Sequence, residues 1–151
     1  MKNRGTIRPE VLHPVNYGNY WNNLRGSVIC VQKGLAIHKG ILHSVALDGT
    51  VYVIDNSPVR GCVAIRTLDE FHGGQPWWFE RVALPQDAGW ILSRAESQLN
   101  RPYDLWNFNC QNFVALAWGQ IGQPNQADIL KVAVLVGAIV AAVQVLGEIH
   151  A

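Results

Sequence analysis

Between residues 26 and 65, apolar residues come in short bursts separated by turn formers. The segments "GSVICVQ", "GLAIHKGIL", "TVYVID" and "CVAIR" are rich in β-branched and apolar residues and predict four strands. Asp48-Gly49, between the second and third, is a hairpin-turn dipeptide. Thr67-Leu68-Asp69-Glu70 has the form of a capping box and predicts a short helix ending near Gly73-Gly74, after which "WWFERVA" reads as a further strand. From Pro85 the period changes. Ala88, Ile91, Leu92, Ala95 and Leu99 form one helical stripe, which Arg101-Pro102 ends. A second helix begins at Cys110, with Phe113, Val114, Ala117 and Trp118 at apolar helix spacing, and Gly122 with Pro124 closes it. Strands followed by helices predict an α+β fold: an antiparallel sheet packed against helices over residues 1–126.

Residues 127–151 are different. "ILKVAVLVGAIVAAVQVLG" is apolar on every face and predicts a hydrophobic C-terminal helix. Its length is close to the roughly 20 residues a membrane span needs, and Gly137 and Ala141 form a small-x-x-x-small pair. The expected partner of this helix is a membrane surface or a second copy of the chain; a helix of the soluble core is the alternative.

The length of 151 residues suits one domain with a real core, and 49% hydrophobic with 15% charged residues suits a folded one. A net charge of +1, with no basic run interleaved with aromatics, argues against a nucleic-acid partner. Cys30, Cys62 and Cys110 are odd in number and include no C-x-x-C pair, so neither a disulfide framework nor a zinc site is expected, and no cofactor is implied. The N-terminus lacks an apolar stretch behind its charges, so no secretory signal is read there, and the expected compartment is the reducing cytoplasm.

One stretch, "WNFNCQNFVALAWGQ", carries candidate chemistry. Asn109 is a favoured N-cap, which puts Cys110 in the first helical turn, where unpaired N–H groups and the helix dipole favour a thiolate. A small buried residue is the plainer account of the same position. Cys30 and Cys62 sit inside apolar strand patterns and read as structural. A thiol nucleophile needs a base, and His38 lies in a strand two residues before Gly40, where a ligand or backbone can approach closely. His43 lies an odd number of residues further on, so in a regular strand the two rings point to opposite faces and one alone serves a site. Asp55 and Asn56 could orient the base through its other ring nitrogen, although "DNSP" also reads as a turn. His13, His72 and His150 read as solvated surface.

Taken in order, His38-Lys39-Gly40-Ile41, Val53-Ile54-Asp55-Asn56-Ser57, Leu68-Asp69-Glu70-Phe71, Tyr103 and Asn109-Cys110-Gln111-Asn112-Phe113-Val114 resemble the lecithin:retinol acyltransferase-like family, the permuted branch of the NlpC/P60 papain-like superfamily. The resemblance implies the permuted papain-like fold, with Cys110 as nucleophile, His38 as base and Asp55 as its orienting partner. Asn109, Gln111 and Tyr103 would be supporting residues, and His43 the base in a shifted register. It also implies a cysteine-dependent acyltransferase or phospholipase that moves an acyl group from a phospholipid or other ester through a thioester, at a membrane surface. Two departures stand out: Asp55 where the animal enzymes have a second histidine, and Gln111-Asn112 in place of the usual Glu-His. The alternatives are an NlpC/P60-type peptidase or amidase, and a non-catalytic interaction protein like the viral relatives that share the histidine box and Asn-Cys motif.

Overall fold

A computed structural model describes residues 17–120 and Val134. The chain divides into two units, residues 1–121 and 122–151. The expected C-terminal helix falls in the second, outside the described residues apart from Val134, which is helical. Among the described residues no helix is long and apolar enough to cross a membrane.

The first unit is α+β. Its elements run α1 (Tyr17–Asn23), β1 (Val28–Lys33), β2 (Ala36–Val45), β3 (Val51–Ser57), β4 (Cys62–Thr67), α2 (Leu68–His72), β5 (Trp77–Arg81), α3 (Pro85–Glu96) and α4 (Cys110–Ala117). The strands form one antiparallel sheet in the order β4-β3-β2-β1-β5. Each apolar burst of the sequence is a strand because both faces of the sheet are covered, so successive residues are buried on alternating sides. Val28, Cys30, Ile41, Ile54 and Val63 meet Ile91, Leu92 and Ala95 of α3 and Phe113, Val114 and Ala117 of α4. On the other face Ile29, Val31, Leu42 and Val53 meet Trp21 of α1 and Leu68 and Phe71 of α2.

Local signals explain most boundaries. The capping box at Thr67 is formed as expected, its hydroxyl accepting from Glu70 N–H while the Glu70 carboxylate accepts from Thr67 N–H, and Gly73 ends α2 in the left-handed region at φ 57°. Asp48 accepts from Thr50 N–H in the β2–β3 turn, where Gly49 has φ 87°. Helix α3 stops earlier than its apolar stripe: Glu96 is its last residue and Asn100 turns left-handed at φ 64°, so Leu99 leaves the stripe and is 39% exposed. Helix α4 likewise ends at Ala117, before the expected stop at Gly122, because Gly119 adopts φ 68°. Helix α1 has no counterpart in the sequence reading. Its "YGNYWNN" lacks an apolar period, and Trp21 packs in the core against Trp77 and Phe79.

The sheet register does the most for function. Gly40 pairs with Asp55 across β2 and β3, which makes His38 and Asp55 diagonal neighbours on one face. Arg66 pairs with Val53 across β3 and β4 and is the diagonal neighbour of Asp55 from the other side. A bulge between Leu42 and Ser44 leaves His43 without a partner in β3.

Gly40 is glycine for lack of space. A Cβ there would lie 2.6 Å from Val53 Cγ1 and 2.9 Å from Phe71 Cε2, both deep in the core. Gly40→Ala should destabilise the domain by about 1–3 kcal/mol through overpacking. Urea denaturation followed by tryptophan fluorescence checks this, and an unchanged midpoint would contradict it.

Candidate active site

Three strands and one helix deliver the candidate residues to one place. His38 Nε2 lies 2.5 Å from Asp55 Oδ2. The Asp55 carboxylate is almost fully enclosed, with its side chain 1% exposed. Arg66 closes the other side: its Nε donates to Asp55 Oδ1 at 2.9 Å, and its Nη2 donates to Oδ2 and sits 3.1 Å from His38 Nε2. Phe71 underlies the group, its ring centroid 5.2 Å from that of His38 and 5.5 Å from the Arg66 guanidinium carbon. A buried carboxylate is tolerated when it is paired and its lone pairs are used, and Asp55 meets both conditions.

Cys110 comes from α4, the helix packed on the opposite face of the sheet. The segment leading to it is held in steps. Tyr103 N–H donates to Gly61 carbonyl at 2.8 Å, and Asp104 and Phe108 exchange backbone hydrogen bonds. Asp104 Oδ1 accepts from the N–H groups of Trp106 and Asn107. Asn56, on the β3 face opposite Asp55, donates from Nδ2 to Phe108 carbonyl at 2.6 Å. Asn109 then caps the helix as the sequence predicts, accepting from Gln111 and Asn112 N–H, while Asn112 Oδ1 accepts from Asn109 N–H. Asn112 therefore closes a capping box, the part Glu or Gln usually plays at that position.

His38 and Cys110 line one cleft of about 510 Å³ at the end of the sheet where β2 begins and β3 ends, together with Tyr103, Arg66, Lys33 and Glu70. Its apolar wall is Ala36, Ile37, Pro58 and Val59. Burial favours a neutral His38 ring, but the hydrogen bond to Asp55 and the nearby Cys110 sulfur outweigh it and raise the pKa to about 9. The Tyr103 phenol is also raised, by burial first and then by negative charge at Cys110 and Asp104. Cys30 is different: it is fully buried, and burial, with Glu80 second, pushes its thiol up to about 12.

The structure thus brings together His38, Asp55, Tyr103 and Cys110 from the sequence candidates, with Asn109 and Asn56 behind the cysteine. It does not bring His43 to them. His43 lies at the other end of β2, with Nε2 3.0 Å from Glu96 Oε1 on α3 and Nδ1 2.9 Å from Ser44 Oγ. Sequence reasoning missed Arg66. The signal was the alternation of "CVAIRT", which puts Cys62, Ala64 and Arg66 on one face of a strand next to Asp55, but reading it needed the β3–β4 register. Among the described residues no cluster of His, Cys, Asp and Glu could hold a metal ion.

Because the folded His38 pKa is raised from 6.5, its proton stabilises the fold fully below pH 6.5, and this contribution is lost as the pH rises through about 9. Proton–carbon NMR of the His38 ring should give a midpoint near pH 9 in the native protein. In Asp55→Asn the midpoint should fall by at least about one pH unit, since burial then meets less opposition. A midpoint that stays put in Asp55→Asn would show that the carboxylate does not govern the ring.

No family model matches the chain and no curated protein matches it, so its chemistry is read from its own side chains.

Proposed function

We propose that the chain is a cysteine-dependent acyltransferase or phospholipase of the lecithin:retinol acyltransferase-like kind, with a permuted papain-like fold. The observation that carries this reading is the shared cleft: a helix-start thiol faces a histidine whose Nε2 is already committed to a buried carboxylate. With Nε2–H donating to Asp55, Nδ1 is the ring nitrogen left to hold the proton that Cys110 gives up, and a pKa of about 9 keeps that proton on the ring at neutral pH. The chain order agrees, base first and nucleophile later, as in the permuted branch.

The steps follow from these groups. With the thiol proton held on His38 Nδ1, Cys110 Sγ forms a bond to the ester carbonyl carbon. The carbonyl oxygen gains the negative charge. In the first turn of α4, Asn109 already holds the N–H groups of Gln111 and Asn112 through its side chain and that of Phe113 through its carbonyl. The N–H of Cys110 itself is the one the turn does not use, and it is the donor available to the oxyanion. The carbon–oxygen bond then breaks, and the leaving alcohol takes the proton from His38. An acceptor alcohol, amine or water reverses these steps: it gives its proton to His38, attacks the thioester and releases Cys110.

The apolar wall of Ala36, Ile37, Pro58 and Val59 beside the pair favours an acyl chain over a charged peptide, which ranks a lipid ester above the peptidase reading. The apolar stretch 129–147, with its all-round hydrophobicity, supplies the proposed attachment to a membrane surface.

Incubating the chain with phosphatidylcholine labelled in its acyl groups, followed by acid quenching and peptide mapping, should trap label on Cys110 and none on Cys30. Cys110→Ala should abolish the adduct. His38→Gln should slow turnover on the order of 10²–10⁴-fold, the usual contribution of a general base. Absence of an acyl-cysteine with phospholipid and with simple soluble esters alike would refute the proposal.

A further inference from the structure

We infer that Arg66 is the positioning residue of this site: it clamps Asp55 in the one orientation that serves His38 and sets how readily His38 gives up its proton. The assignment rests on the proposed roles of Cys110 and His38 and extends them to a residue outside the motif.

Three observations support it. First, Arg66 binds Asp55 through two nitrogens to two oxygens, the planar fork-to-fork geometry that lysine cannot reproduce. The carboxylate plane is therefore set by Arg66 before His38 donates to Oδ2. Second, the guanidinium is enclosed, its side chain 10% exposed, and it rests on the same Phe71 ring as His38. Neither partner can swing away without opening the core around Phe71, which is itself fully buried. Third, Arg66 Nη2 lies 3.1 Å from His38 Nε2. Both groups donate toward Asp55 Oδ2, so a positive charge on one opposes a positive charge on the other.

The other charged and titratable groups at His38 are Asp55 on β3, Cys110 on α4, Tyr103 on the preceding segment, Lys33 on β1 and Glu70 on α2. Of these, Lys33 and Glu70 are exposed and screened by solvent, and Lys33 donates to His72 carbonyl. Asp55 and Cys110 favour a protonated ring. Arg66 is the enclosed cation that disfavours it. A base must release its proton to the leaving group, and a counterweight of this kind eases that release.

The test follows the ring directly and needs no substrate. In Arg66→Gln, which keeps a polar side chain and loses the charge, the NMR midpoint of His38 should rise by about one pH unit. In Arg66→Lys the charge remains although the fork is lost, and the midpoint should stay below that of Arg66→Gln. The native chain provides a check that does not depend on a variant folding: the Arg66 Nε–H resonance should shift with the same midpoint as the His38 ring. A native Arg66 Nε–H signal that ignores the His38 titration, or a His38 midpoint unchanged in folded Arg66→Gln, would overturn the assignment. Both readouts are separate from acyl transfer, so Arg66 can fail as a positioning residue while Cys110 still acylates, and the reverse.

Discussion

A carboxylate with almost no access to water, Asp55, is the constraint around which the rest of this domain is arranged. Alone, such a charge would cost several kcal/mol and would take up a proton to escape. Here its two oxygens are held by three contacts from His38 and Arg66. The sheet supplies those partners through register alone, since Gly40 opposite Asp55 and Val53 opposite Arg66 make both cations diagonal neighbours of the same carboxylate. Gly40 leaves out the side chain that would stand between them, and Phe71 from α2 fills the space that remains.

The thiol arrives by an independent route, and its placement depends on a different set of polar groups. Asp104, Asn56 and Asn109 fix successive backbone groups of the segment that enters α4, so Cys110 is presented at a helix start with little freedom in the preceding residues. Neighbouring residues of β3 divide the work: Asp55 turns to one face for the histidine, and Asn56 turns to the other to hold Phe108. This alternation explains why a strand ends in the polar run "DNS", which read in isolation as a turn. Pairing with β4 through Ser57 keeps it extended, and its side chains are buried among partners.

Where physical signals are local, the fold could be read in advance. Apolar bursts marked the strands, Thr67 with Glu70 marked α2, and Asn109 marked the start of α4. His38, Asp55 and Cys110 could be named as candidates because a helix-start thiol, a strand histidine and a strand-end carboxylate stand out locally, and the family resemblance joined them; the structure brings the three together. What escaped depended on contacts distant in sequence. Arg66 closes the burst "CVAIR", and only the sheet register sets it against Asp55. Helix α1 has no amphipathic period, and its one core residue, Trp21, finds its neighbours on β5. The choice between His38 and His43 also lay outside local pattern, since it turns on which end of β2 meets the helix start and which meets Glu96.

Of the two strand histidines, His38 is the one that shares a cleft with Cys110. The most direct measurement is the rate at which a small alkylating agent such as iodoacetamide modifies Cys110 at neutral pH, mapped by mass spectrometry, in the native chain, His38→Gln and His43→Gln. Thiol reactivity follows the charge and proton acceptors beside the sulfur. The rate should drop about tenfold or more in His38→Gln and stay native in His43→Gln. Equal rates in all three proteins, or a drop confined to His43→Gln, would contradict it.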